Sequence, residues 1–320
     1  MKSSLLLALL TLPASAVVNI DYVTVGNAGN AADPATGSLY GAVAYAYKIG
    51  QYEVTNAQYT EFLNAVDSSG ANANGIYNTN MGSNTRGGIS FNAGAASGAK
   101  YTIRTSMGNK PVNYVSWYDA ARFTNWLHNG QGSGSTETGA YTLSGNTGII
   151  TKNVSATVWL PSEDEWYKAA YYNGDTASYS LYATQSNTAP TVAAAGATGD
   201  ITNPGANVAN YNFGADWNSQ NGNVTTVGSA GADSFYGTFD QGGNVWEWND
   251  AVISGSSRGL RGGSWYDLDA YGLASWFRVD ADPSLEDNLF GFRVASVPEP
   301  TSLLLTMLAG SVVLVRRRSV

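Results

Sequence analysis

An α+β fold with few helices, short strands and long irregular loops is what this sequence predicts, and three observations carry that expectation. Three segments repeat apolar residues at helical spacing behind a capping residue. Short apolar or alternating runs sit between turn signals. The stretches that join them are low in charge and dense in Gly, Asn, Ser and Thr, with 37 glycines among 320 residues available for turns of positive φ. A hydrophobic content of 43%, with 9 Trp, 20 Tyr and 9 Phe, is enough to fill a sizeable core and argues against wholesale disorder.

Along the chain, residues 55–66 place Tyr59, Phe62, Leu63 and Val66 on one helical face with Thr55 as N-cap. Residues 116–128 offer Ser116 as N-cap, Asp119 in the first turn and an apolar face of Trp117, Ala120, Ala121 and Leu127. Residues 162–172 follow Pro161 and carry a capping box in Ser162 and Glu165. Strands are expected in AYKIGQYEV, ATVWL, SRGLRGGSW and FGFRVAS. Segments 68–100 and 130–150 read as long surface loops. No tandem repeat or charged linker divides residues 17–297, and this pattern of elements is that of an α+β domain.

The formal net charge is -8, and four of the basic residues (Lys2, Arg316, Arg317, Arg318) lie in the two terminal segments. Without those four the chain holds 12 basic residues against 24 acidic ones, which repels phosphate backbones and excludes a nucleic-acid partner. Cysteine is absent and His128 is the single histidine. Disulfides, thiolate chemistry and His-rich metal sites are therefore excluded. At the end of its helix, His128 is expected to cap carbonyls.

Both ends read as addresses. Residues 1–16, MKSSLLLALLTLPASA, have the basic start, short apolar run and small-residue exit of a secretory signal peptide cleaved after Ala16. At the other end Pro298, Glu299 and Pro300 precede an apolar run from Thr301 to Val315 and then Arg316, Arg317 and Arg318. Those arginines would stay cytoplasmic, and the run is short for a permanent span. The segment 298–320 resembles the bacterial PEP-CTERM sorting signal. That resemblance implies transient membrane contact, cleavage by an exosortase-type enzyme, and export to the surface or exopolysaccharide matrix of a Gram-negative bacterium.

The body carries Glu53-Val54-Thr55-Asn56 with Tyr59, then PVNYVSWYDA at 111–120, WLPSEDEWYKAA at 159–170, GNVWEW at 243–248, RGGSW at 261–265 and GFR at 291–293. In this order the six pieces resemble the formylglycine-generating enzyme, or sulfatase-modifying factor, family, a relative of the C-type-lectin-like fold, over roughly residues 45–295.

The stretch FDQGGNVWEWND, residues 239–250, raises the main question about a site. Asp240 and Glu247 supply carboxylates, and Gly242 and Gly243 let the backbone curl carbonyls inward, a composition suited to calcium. Equally, Glu247 could cap a turn or pair with Arg261 or Arg293. The resemblance implies a structural Ca²⁺ on Asp240, the carbonyls of Gly243 and Val245, and Glu247, with Trp246 and Trp248 as flanking core. It implies a second site on Asn210, the carbonyl of Tyr211 and a later carboxylate, for which Asp216 is the candidate.

The family's oxygen chemistry needs two cysteines that bind Cu(I). Here their positions fall on Asp267 and Gly272, while Ser264 matches the family's active-site serine. Neither Cu nor Fe is expected, and formylglycine generation does not transfer. The expected function is a non-catalytic glycan- or peptide-binding, or structural, module, with a groove lined by Ser264, Trp265, Tyr266, Asp267, Tyr271 and Trp276. The alternatives are a metal-dependent oxidoreductase with a diverged centre, or a glycan hydrolase using Asp267 and Asp269.

Overall fold

The computed structural model describes residues 17–144 and 149–298. The leader 1–16, and Glu299, Pro300, Arg316, Arg317 and Arg318 of the sorting signal, lie outside the described residues. No helix among the described residues is long and apolar enough to cross a membrane.

The three expected helices form at Asn56–Val66, Trp117–His128 and Glu163–Tyr171. Each starts on a full capping box, pairing Thr55 with Gln58, Ser116 with Asp119 and Ser162 with Glu165. Each box satisfies backbone N–H groups that the first helical turn leaves without partners. The first two helices meet through aromatic rings: Tyr59 and Phe62 lie 5.9 and 5.4 Å from Phe123, and Phe62 lies 5.4 Å from Trp126. The apolar stripe of the second helix is thus wider than expected, with Phe123 and Trp126 buried and Leu127 only partly so.

Two four-stranded sheets frame this core. The first orders its strands Tyr22–Val25, Tyr47–Gly50, Ala295–Ser296, Val158–Trp159, all antiparallel. The second runs Val279–Ala281, Arg258–Arg261, Trp246–Val252, Phe290–Phe292, the last pair being parallel. Trp246–Val252 is the longest strand, and it begins inside the stretch expected to be a metal loop. It is central in its sheet, and β pairing on both sides overrides the loop-like composition of its approach. The segment expected to be loop at 68–100 contains a short helix, Asn80–Ser83, and a strand, Ile89–Phe91, that pairs with Tyr101–Ile103.

His128 does not cap its helix. Its Nδ1 accepts the Thr157 N–H at 3.1 Å and lies 2.8 Å from the Thr157 hydroxyl, tying the helix end to the segment before Val158.

Candidate functional site

Trp246 and Trp248 are core, as expected, and alternation along the strand turns Glu247 the other way, into a second buried layer. The Glu247 carboxylate is fully buried and paired bidentately with Arg293, Nε to Oε2 at 2.6 Å and Nη2 to Oε1 at 2.7 Å. The Trp166 indole N–H adds a bond to Oε2 at 2.8 Å. Between the two arginines the sequence left open, the structure selects Arg293, because it directly follows the strand Phe290–Phe292, which lies parallel beside Glu247 with Glu247 opposite Gly291. Arg261, although opposite Glu247 on the other side, instead bonds Glu163 through Nε at 2.8 Å and packs over Tyr40 and Tyr167.

The approach to the strand curls as the glycines suggested. Asp240, Gly243 and Asn244 have φ of 60°, 88° and 62°. At Gly243 a Cβ would lie 2.3 Å from the Asn210 carbonyl, so only glycine fits. Asn244 then ties together groups far apart in sequence: its Oδ1 accepts from Thr225 N at 2.9 Å and Asn210 Nδ2 at 3.2 Å, and its Nδ2 donates to Glu53 Oε1 at 3.1 Å. Asp240 accepts the Gly228 N–H.

Three buried atoms of this network lack a hydrogen-bonding partner: Glu53 Oε2, Asn210 Oδ1 and Asn223 Nδ2. Burial, reinforced by Asp240 and Glu247, pushes the Glu53 carboxyl well above its ordinary range, and burial raises Asp240 to about 6. Glu53 and Asn244 belonged to quoted motifs but had not been assigned to the site; Asn223 and Thr225 carried no signal at all. Asp216 sits on the surface, where its Oδ1 accepts the Gly222 N–H at 2.7 Å and closes a local loop. The groups that do surround the Asn210 amide are Asn223, Thr225 and Asn244. The Tyr211 carbonyl is turned to a local bond from Gly214 N at 3.1 Å.

Donors for a hard cation therefore differ from the sequence assignment. Glu247 does not fit, since both its oxygens already face a guanidinium. Asn210 Oδ1 and Glu53 Oε2 are buried oxygens in need of a positive partner, and they fit an oxygen-seeking ion. Among the described residues no three acidic or histidine side chains converge on one point, so carbonyls or water would have to complete either shell.

The expected groove divides in two. Ser264 and Trp265 are buried, Trp265 packing with Met107, Trp217, Val224 and Val245 under the Arg86 guanidinium at 4.3 Å, so neither lines a surface. Tyr266, Leu268, Tyr271 and Trp276 are exposed, and the Tyr271 and Trp276 rings meet edge-on at 4.3 Å. Asp267 turns inward, accepting from Ser264 N at 2.7 Å and Ser264 Oγ at 2.9 Å. Its Oδ1 lies 2.6 Å from where a Gly272 Cβ would stand, so positions 267 and 272 close on each other. Asp269 caps the short turn Ala270–Leu273 through Tyr271 N at 2.9 Å. Both carboxylates thus serve turns, which removes the geometric basis for an acid–base pair.

The crystal structure of CarF matches this chain with TM-score 0.51 at 21% identity, over 88% of this chain and 99% of that one. Treponema denticola variable protein 1 matches with TM-score 0.49 at 20% identity over 89% and 98%. PvdO from Pseudomonas aeruginosa matches with TM-score 0.44 at 18% identity over 80% and 82%. At these identities the likeness concerns the fold alone. No curated sequence matches the chain. The sulfatase-modifying factor enzyme 1-like domain matches residues 22–297, the span that holds every strand and helix described above, and the chain belongs to that family.

Proposed function

We propose that this chain is an exported, non-catalytic binding module that keeps the family's scaffold and has given up its oxygen chemistry. The observation that carries the reading is the closure of Asp267 onto Ser264 and Gly272 at the two positions where the family's resemblance calls for copper-binding cysteines. A carboxylate held by a serine and a glycine without a side chain supply no soft ligand for Cu(I), and the chain has no cysteine elsewhere. Beside this closed site Tyr266, Tyr271 and Trp276 present aromatic faces to solvent, a surface suited to sugar rings or to an extended peptide.

Structural calcium belongs to the same reading, with Asn210 Oδ1 and oxygens of the curled 240–244 backbone as donors. Export rests on the leader at 1–16 and on the segment 298–320, whose exosortase-type processing would place the protein at the cell surface or in the exopolysaccharide matrix. The test is elemental analysis of the purified full chain together with binding to the host's exopolysaccharide and to peptides. Calcium without copper or iron, plus binding that Trp276→Ala abolishes, supports the module. Stoichiometric copper or iron would overturn it in favour of a metal-dependent oxidoreductase with a rebuilt centre.

A further inference from the structure

A cleft of two compartments lies apart from the exposed aromatic surface. One, of about 260 Å³, is walled by Ser106, Asn109, Lys110, Thr198, Asp200 and Thr226. The other, of about 410 Å³, is walled by Asp21, Tyr52 and Gln58 and again by Asn109 and Thr226. The shared walls join them, and the volumes are those of small-molecule sites. Tyr266, Tyr271 and Trp276 border neither compartment.

Lys110 is 3% exposed. Its Nζ donates to the Thr198 carbonyl at 2.6 Å and to Thr226 Oγ1 at 2.5 Å, and stands 4.9 Å from the centre of the Trp217 ring. An ammonium has three donors, so one is left over on a side chain that borders the cavity. The backbone is shaped around this lysine. Gly199 has φ of 77°, and a Cβ there would lie 2.8 Å from Lys110 Cε and 2.5 Å from the Trp217 ring, so only glycine lets the turn close over both. Thr226 N donates to Gly199 O at 2.9 Å and Val227 N to Asn109 O at 3.0 Å, which fixes the walls to one another.

Beside the spare donor stands an acceptor. Asp200 Oδ1 and Oδ2 accept the Thr226 and Thr198 hydroxyls at 2.5 and 2.7 Å, and these bonds hold its carboxyl below the ordinary range. The carboxylate is exposed and keeps lone pairs for further donors. The Thr226 hydroxyl takes a bond from Lys110 and gives one to Asp200, so ammonium and carboxylate flank a single group. A phosphate would meet the charge of Asp200, and a cation would meet that of Lys110. Neighbouring sugar hydroxyls, each both donor and acceptor, match the pair. The smaller compartment has no aliphatic or aromatic wall to anchor a peptide side chain. In the larger one the half-buried Tyr52 ring, stacked on Phe239 at 5.5 Å, offers an apolar face to sugar C–H groups.

We infer that this cleft binds a short neutral saccharide, Lys110 donating to one ring hydroxyl and Asp200 accepting from its neighbour. The site is separate from the aromatic surface of the proposed function, and stands whether that surface takes polymer or peptide.

Isothermal titration of the purified full chain with glucose, galactose, mannose, N-acetylglucosamine, maltose and cellobiose tests the inference. At least one should bind saturably with Kd of about 1 mM or tighter. Asp200→Ala and Lys110→Met should each weaken that binding roughly tenfold or more, since each removes a hydrogen bond to a charged group. Trp276→Ala should leave it within about twofold. Should Lys110→Met fail to fold, Asp200→Ala, at an exposed position, still decides. Absence of binding by every sugar, or unchanged binding in Asp200→Ala, overturns the inference. Loss of sugar binding in Trp276→Ala alone also overturns it and leaves the aromatic surface as the sugar site. Titration of inorganic phosphate or a neutral hexapeptide into the same cleft, with no sugar binding, would replace the saccharide by that ligand. None of these outcomes alters the copper and calcium analysis that tests the proposed function.

Discussion

Replacing Arg293 by Met tests the buried ion pair most directly. Glu247 has no exposure, and without the guanidinium it would keep one donor, the Trp166 indole at 2.8 Å. The carbonyls of Gly50, Gln51 and Phe239 would each lose a bond at the same moment. Breaking a buried pair by removing one partner costs about 3–5 kcal/mol, since the remaining charge is left uncompensated. For a domain of this size that corresponds to a fall in Tm of roughly 6–20 °C. Urea denaturation followed by tryptophan fluorescence, in EGTA and again in calcium, measures the loss apart from any metal effect. Arg293→Lys should recover little, because an ammonium cannot match the two-point contact. Combined with Glu247→Gln, Arg293→Met should cost less than the two single changes added together. A loss below about 1 kcal/mol, or strict additivity, would refute the reasoning.

Three further outcomes are expected. Asp267→Cys combined with Gly272→Cys should form a disulfide in air, detectable as loss of thiol titre in a chain with no other cysteine, because the Asp267 Cβ lies 3.5 Å from the Gly272 Cβ position; two persistent free thiols would mean the positions are apart. Tyr271→Ala and Trp276→Ala should weaken ligand binding while shifting stability by less than about 0.5 kcal/mol, both rings being exposed; a large fall in Tm would make them core instead. Burial lifts the Asp250 carboxyl from 3.8 to about 7 despite Arg258 at 3.1 Å. A raised folded-state pKa contributes stability that is full below the unfolded value and is lost as pH climbs toward 7. The stability of wild type relative to Asp250→Asn should therefore fall between about pH 4 and pH 7, and a difference that grows over that range would contradict it.

Much of the site's composition was legible before its geometry. The cysteine-free positions Asp267 and Gly272 could be named from the order of motifs, and the structure brings them together, with Asp267 Oδ1 2.6 Å from the Gly272 Cβ position. Asp216 was chosen for its charge, but a surface loop claims it, while Asn223, uncharged and outside any motif, packs against Asn210. Trp265 was expected on the groove together with Tyr266, yet the turn at 265–266 leaves Tyr266 exposed and turns Trp265 inward. The side that met Arg86 and Met107 became core.

By itself the sequence determined the three helices and their starting points. The groups that make a capping box stand three residues apart, and the hydrogen bonds they form are settled within one turn. It also determined that tryptophans 246 and 248 are core, and that thiolate chemistry is absent. Only the tertiary structure decided what Glu247 holds. Its partner lies 46 residues away and reaches it through a parallel strand pairing, while Asn244 meets Glu53 across 191 residues. A buried charge takes whichever counter-charge the packing of distant strands delivers, and no local spacing records that choice.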